Sequence, residues 1–192
     1  MRQRPAPNQL VAFATSQPRS HEMSHQGVET VKHEVEPIEH KIEPTKHSFE
    51  ATQSSGVVSA LLMCPANADC LLVLGHGAGA GMRHVFMETL AGHLADRRIA
   101  TFRYQFPYME QGRRRPDFQP ILLKTVRSAI SAASALPDGL PLFAGGKSMG
   151  GRMTSLAAAK EPLADVRGIV FFGFPLHPVQ NPGIERSDHL KE

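Results

Sequence analysis

Ser148 is the residue best placed to do chemistry in this chain, because it stands at the centre of a Gly-x-Ser-x-Gly motif. Gly146 and Gly150 flank it, an apolar run comes before it at residues 140–145, and small residues at helical spacing follow. A serine at a sharp strand-to-helix turn adopts strained backbone angles, and a Cβ two residues away would collide with the crossing elements. The motif therefore predicts that Ser148 is a nucleophile.

Two other interpretations of this segment stay open. Gly-x-Ser-x-Gly also occurs by chance in glycine-rich loops, so the motif alone is only a hypothesis. The run Gly146-Lys147-Ser148 also ends like a phosphate-binding loop. That loop would need its leading glycine at position 141, where Pro141 stands, and the backbone could then not wrap a phosphate in the usual way.

A second glycine-rich segment strengthens the interpretation of Ser148 as a nucleophile. The apolar run CLLVL at residues 70–74 is typical of a strand buried on both faces, and it leads directly into GHGAGAG at residues 75–81. Acyl transfer needs backbone N–H groups aimed at the developing oxyanion. We expect the N–H groups of Ala78 and Met149 to form this oxyanion hole, and His76 and Gly77 to line the pocket.

Four blocks of the sequence, taken in order, resemble the KANL3/Tex30-type α/β-hydrolase-like proteins, which are relatives of the dienelactone hydrolases. The blocks are GHGAGAGMRHVFM, RYQFPYMEQGRRRPD, FAGGKSMGGRM and FFGFPLHP. The resemblance implies an α/β-hydrolase fold, a doubly wound and mostly parallel sheet, with Ser148 as the nucleophile and the loop around Gly77 and Ala78 as the oxyanion element. The family also includes a non-enzymatic subunit of a chromatin-modifying complex, so the resemblance leaves activity open.

The acid and base of a catalytic triad are not found in this sequence. In α/β-hydrolases they follow strands beyond the nucleophile helix, and the family's later acid and histidine blocks have no counterpart here. Asp165 is expected at the far end of the sheet, and Asp188 and His189 in an unanchored tail. His177 follows the strand at 168–174, so we expect it near the pocket. We expect the C-terminal part of the fold to be missing and the strand at 168–174 to have a bare apolar edge.

The first part of the chain has a different composition from the rest. Residues 1–52 contain almost no apolar cluster and include three histidine-led heptads at 33–39, 40–46 and 47–53, with Pro37 and Pro44 at matching places. Proline excludes a helical coiled coil. We predict a disordered tail over residues 1–52 and an α/β-hydrolase domain over 53–192.

Composition narrows the range of partners. The formal net charge of +3 gives no basic stripe of the kind that nucleic acid requires. The apolar run at residues 10–14 is too short for a signal peptide or a membrane span, and the two cysteines favour a reducing compartment. We therefore expect a cytoplasmic protein with a small-molecule acyl substrate, no nucleic acid, no membrane, no cofactor and no metal.

Strands and helices alternate along the predicted domain. The apolar patterns predict strands at 57–63, 70–75, 99–104, 140–145 and 168–174, and helices at 84–97, 121–136 and 149–160. Two functions from different classes remain. One is a serine hydrolase acting on a small ester, lactone or thioester. The other is a non-catalytic scaffold, with a protein partner, or an inactive fragment.

Overall fold

The computed structural model describes residues 9–12, 42–137, 139–177 and 182–190. Its strands are β1 Gln9–Ala12, β2 Thr45–Thr52, β3 Gly56–Met63, β4 Cys70–Gly75, β5 Ile99–Tyr104, β6 Leu142–Lys147 and β7 Val166–Phe172. Its α-helices are α1 Val85–Ala95, α2 Pro107–Glu110, α3 Gln119–Ser134 and α4 Met149–Lys160, and a 3₁₀ helix spans Glu185–Leu190.

All seven strands form one mixed sheet in the order β1-β7-β6-β4-β5-β3-β2. Five neighbouring strands, β1, β7, β6, β4 and β5, are parallel to one another. In contrast, β3 is antiparallel to both β5 and β2. Parallel neighbours end at the same edge of a sheet, so the carboxyl ends of β4, β5, β6 and β7 lie side by side. This confirms the predicted α/β class with a mostly parallel sheet.

The central strand β4 is buried on both faces. Leu71 and Val73 join the core under α3 and α4, and Leu72 and Leu74 pack with Met87 of α1 on the other face. Strands covered on both faces consist of continuous apolar residues, and this explains why the run from residue 70 to 74 does not alternate. Burial of each such side chain stabilises the folded state by about 2 kcal/mol.

The predicted elements are all present, with small shifts at their ends. Helix α3 begins two residues early, at Gln119, because Pro120 is tolerated in the first turn, where its missing N–H has no partner. Strand β6 continues through Gly146 and Lys147, which pair with Phe171 and Phe172 of β7. The short helix α2 was not predicted.

The predicted tail boundary at residue 52 is wrong, because β2 belongs to the sheet. β2 pairs with β3 in antiparallel register. The ring of Phe49 lies 6.2 Å from that of Phe102 and 6.3 Å from that of Tyr104, measured between centroids. Ser128 on α3 donates a hydrogen bond to the Ala51 carbonyl at 2.9 Å. Most residues of β2 are polar, including one histidine and one glutamate, so the alternation of inward and outward residues is hard to recognise in the sequence. Residues 1–8 and 13–41 of the predicted tail lie outside the described residues.

The expectation of a bare edge on β7 is also wrong. β1 pairs in parallel with β7, from Gln9 opposite Gly168 to Ala12 opposite Phe171. The short apolar run near residue 10 is long enough for such a strand, although it is too short for a signal peptide. The sheet therefore gains a strand from a distant part of the chain.

No helix in the described parts of the chain is both long enough and apolar enough to cross a membrane. Within the same residues, no three His, Cys, Asp or Glu side chains come together in a way that could hold a metal ion.

Candidate active site

Ser148 lies at the turn between β6 and α4, with φ 50° and ψ −106°. A positive φ is uncommon for a residue with a side chain and costs of the order of 1–3 kcal/mol. The Ser148 N–H donates to the Gly173 carbonyl at 3.0 Å, just beyond β7, and the Ser148 carbonyl accepts from Arg152 at 3.1 Å. These two bonds hold the strained turn, and Ser148 is partly exposed.

The two glycines of the motif allow the turn to press against β4. A Cβ built on Gly146 would overlap the carbonyl oxygen of Gly75 and would lie 2.7 Å from backbone atoms of Gly150 and Gly151. A Cβ on Gly150 would overlap the same Gly75 carbonyl. The motif thus brings the start of α4 into direct backbone contact with the end of β4, which is the strand that leads into the second glycine-rich segment.

The glycine loop, residues 76–81, comes close to Ser148. A Cβ on Gly77 would lie 3.6 Å from the Lys147 carbonyl oxygen and 4.0 Å from the Ser148 Cβ. Gly77 is buried, whereas Ala78 and Gly79 are exposed. The Ala80 N–H bonds to the Gly77 carbonyl at 3.3 Å, so the loop contains a tight turn. The fold therefore brings the two glycine-rich segments together.

His76 lies under this loop and does not line a pocket, which corrects its prediction as a pocket residue. The residue has no exposed surface. Its Nδ1 lies 2.8 Å from the Gly77 carbonyl oxygen, and its Nε2 accepts from the Phe106 N–H at 3.1 Å. A carbonyl can only accept, so Nδ1 carries the proton and the ring is neutral. Burial lowers the pKa of His76 to about 4, although the bond to Gly77 opposes this shift.

Two backbone N–H groups, one at the turn and one in the glycine loop, have no acceptor among the described residues. Met149 is the first residue of α4, where the N–H has no partner within the helix. Within the described part of the chain, no acceptor takes the N–H of Ala78. Donors at a helix start and in a glycine turn suit an anion. This arrangement could stabilise negative charge on an oxygen bound next to Ser148.

The residues that hold the glycine loop were not predicted from the sequence. The Gly79 N–H bonds to the Tyr108 hydroxyl at 3.3 Å, and the Met82 N–H bonds to Gln105 Oε1 at 2.8 Å. Arg103 Nη1 donates to the Met82 carbonyl at 3.3 Å. The signal that could have revealed them is a pair of polar residues, Arg103 and Gln105, at the end of a strand whose other residues are mostly apolar.

Lys147 supplies a cation on the α1 side of the turn. Its Nζ lies 5.3 Å from the centre of the Phe86 ring, a cation–π distance. The same Nζ would lie 3.4 Å from a Cβ on Gly173. The ammonium group therefore sits between the start of α1 and the end of β7.

A cleft of about 480 Å³ opens beside the glycine loop. Its lining comes from the outer side of the loop, the start of α1, and the residues after β5, and comprises Ser59, Gly79, Ala80, Gly81, Met82, Arg83, His84, Gln105, Met109 and Glu110. A volume of this size suits a small ligand.

The remaining candidates for an acid or a base lie away from the turn or on the surface. Asp165 precedes β7, at the end of the sheet opposite Ser148. His177 follows β7 and is exposed, and its carbonyl accepts from Arg186 at 3.0 Å. The expectation that residues 188 and 189 are unanchored is wrong, because His189 Nε2 lies 2.8 Å from the Ser155 Oγ on α4.

Ser155 is seven residues along α4 from Ser148, a rise of about 10 Å. This bond therefore directs the His189 ring away from the turn. Among the described residues, no hydrogen bond joins the Ser148 hydroxyl to an imidazole.

A comparison with protein families matches residues 68–192 to the family described as "Alpha/beta hydrolase domain". The match includes both glycine-rich segments, β5 and α4. A comparison with curated proteins found no match.

Several solved structures share the fold at low sequence identity. A dienelactone hydrolase from Anabaena variabilis superimposes with a TM-score of 0.57 at 20% identity, covering 69% of this chain and 64% of that one. The esterase Est22 gives a TM-score of 0.58 at 14% identity, covering 67% and 43%. The α/β hydrolase GrgF from Penicillium sp. gives 0.58 at 15%, covering 68% and 46%. This chain thus spans less than two thirds of the length of each.

Proposed function

The chain belongs to the alpha/beta hydrolase domain family, and on that basis we propose that it is a serine hydrolase acting on a small ester, lactone or thioester. The observation that carries the proposal is the strained turn at Ser148, with φ 50°, directly beside the glycine loop. Strain of this kind concentrates at functional sites. The four sequence blocks further suggest a KANL3/Tex30-type member, with a cytoplasmic location that a fluorescent fusion would test.

The proposed first step is attack of the Ser148 Oγ on the carbonyl carbon of the substrate. The carbon–oxygen double bond opens to a tetrahedral oxyanion, which the N–H groups of Ala78 and Met149 stabilise. A single donor of this kind is worth about 10²–10³ in kcat. The bond to the leaving group then breaks to give an acyl-serine, which water hydrolyses.

Attack by Ser148 also requires a base that takes the hydroxyl proton. His76 is excluded from this role because both of its ring nitrogens are bonded to backbone groups. His177 is our candidate among the described residues, because it follows β7 at the edge of the sheet where Ser148 lies.

A second candidate function is a non-catalytic scaffold that binds a protein partner. The observation that favours it is that, among the described residues, the Ser148 hydroxyl makes no hydrogen bond to an imidazole. A serine without a base is a poor nucleophile.

A fluorophosphonate probe separates the two functions. We expect stoichiometric labelling of the intact chain, loss of labelling in Ser148→Ala, and unchanged labelling in Ser131→Ala, which alters an exposed serine on α3. Slower labelling of His177→Ala would support that residue as the base. Absence of labelling in the folded parent protein, or labelling that persists in Ser148→Ala, would contradict the hydrolase proposal.

A further inference from the structure

One continuous segment holds the glycine loop from start to end. This segment runs from Arg103 at the end of β5 to Tyr108 in α2. It makes four hydrogen bonds to residues 76–82, and each of them involves a side chain. The two segments run side by side because β4 and β5 are parallel neighbours, with Gly75 opposite Tyr104. The chain that follows β5 therefore fixes the position of the chain that follows β4.

Met82, at the end of the loop, is the residue to which this segment makes two hydrogen bonds. Both of its backbone polar groups bond to side chains from β5 and the residue after it: the N–H to Gln105 at 2.8 Å and the carbonyl to Arg103 at 3.3 Å. Met82 is itself buried, with 4% of its surface exposed. A glycine-rich loop loses much conformational entropy when it is ordered, so an anchor at its far end restricts the loop strongly.

Gly81 permits the approach of Gln105. A Cβ at this position would lie 2.9 Å from Gln105 Oε1 and 3.0 Å from Nε2. A side chain at residue 81 would therefore push the amide away from the Met82 N–H.

Burial of the Arg103 side chain costs folding free energy, which indicates that the residue has a functional role. It is 1% exposed in the middle of the fold, and its Nε makes no hydrogen bond to any described residue. Burial lowers the pKa of its guanidinium, the Glu88 carboxylate raises it, and Arg83 lowers it further. A buried guanidinium that lacks some of its hydrogen-bond partners destabilises a domain. Unfavourable buried groups of this kind concentrate at functional sites.

We propose that Gln105 and Arg103 are positioning residues that clamp Met82 and so keep the Ala78 N–H aimed at the space above Ser148. The catalytic part of this inference rests on the proposed function. The clamp itself does not, because it concerns only the order of the glycine loop. Both residues act through the loop and not on the substrate.

Gln105→Met tests the clamp, because it keeps the length of the side chain and removes the acceptor. We expect amide exchange at residues 77–82, followed by NMR, to become roughly tenfold faster, as loss of a partly buried hydrogen bond predicts. Gln105→Asn is the second variant, too short by one methylene to reach Met82. Gln105→Glu keeps the acceptor oxygen and should preserve protection, and Gln119→Met is the matched surface control.

Hydrolysis of 4-nitrophenyl butyrate tests the catalytic part. We expect kcat to fall roughly tenfold in Gln105→Met with KM unchanged, and Gln105→Glu to restore it. Unchanged exchange in both the Met and Asn variants would overturn the clamp. Faster exchange with an unchanged kcat in an active protein would overturn its role in positioning. A parent protein without turnover would contradict the proposed function, while exchange would still decide the clamp.

Discussion

The imidazole of His76 accepts a hydrogen bond from the backbone N–H of Phe106, thirty positions further along the chain. The bond joins the chain after β4 to the chain after β5, and the opposite nitrogen of the same ring bonds to Gly77 in the glycine loop. One buried, neutral histidine thus connects the candidate oxyanion loop to the adjacent strand. Protonation of Nε2 would break this connection.

Stability should fall in acid because of His76. Its pKa is lowered from 6.5 to about 4 in the fold, so between these values the unfolded chain binds the proton and the native state does not. Stability should therefore decrease as pH falls from about 6.5 to 4, by about 3 kcal/mol in total at 1.36 kcal/mol per pH unit, and this contribution should be constant below pH 4. Urea unfolding across this range measures the slope. His76→Asn should flatten it, and a slope that persists in that variant would assign the effect to another group.

Gly146→Ala should be strongly destabilising. The new methyl group would overlap the Gly75 carbonyl and press on the backbone of Gly150. Backbone atoms cannot relieve the overlap by rotating about a side-chain bond. We therefore expect the free energy of unfolding to fall by about 3 kcal/mol or more. Gly92→Ala on α1 is the control: a Cβ there meets no atom within 4 Å, and alanine should stabilise the helix by about 0.5–1 kcal/mol. Equal unfolding midpoints for the two variants would contradict this packing.

Phe49→Ala should show that β2 belongs to the folded domain. Phe49 packs against Phe102 and Tyr104, and its partial burial suggests a loss of about 2 kcal/mol, below the usual cost for a fully buried phenylalanine. Thermal unfolding of this variant beside Lys46→Ala, an exposed residue of the same strand, would provide the test. A melting temperature equal to that of the parent protein would restore the tail boundary at residue 52.

His189→Ala should release the 3₁₀ helix without affecting Ser148. The ring of His189 bonds to Ser155 and lies 6.2 Å from the Phe174 ring. We expect faster tryptic cleavage at Arg186 in this variant and in Ser155→Ala, with fluorophosphonate labelling at the parent rate. Loss of labelling in His189→Ala alone would show that this imidazole reaches Ser148.

The sequence alone determined the local features of the candidate site. Gly-x-Ser-x-Gly after an apolar run is sufficient to predict a tight strand-to-helix turn at Ser148, because the steric demands of such a turn fall on the residues of the motif itself. The strand-and-glycine pattern at residues 70–81 similarly predicted a loop at the end of a buried strand. Both predictions depend on neighbours within a few residues, where sequence and backbone geometry are directly linked.

The tertiary structure decided which distant residues support that site and which segments before residue 53 join the sheet. His76 was predicted in a pocket wall, but it is buried because β5 lies beside β4 and presents the Phe106 N–H to it. Arg103 and Gln105 reach Met82 for the same reason. β1 and β2 became strands only by pairing with β7 and β3. Such contacts depend on strand order, and an edge strand gains its hydrogen bonds from a partner far away in the sequence.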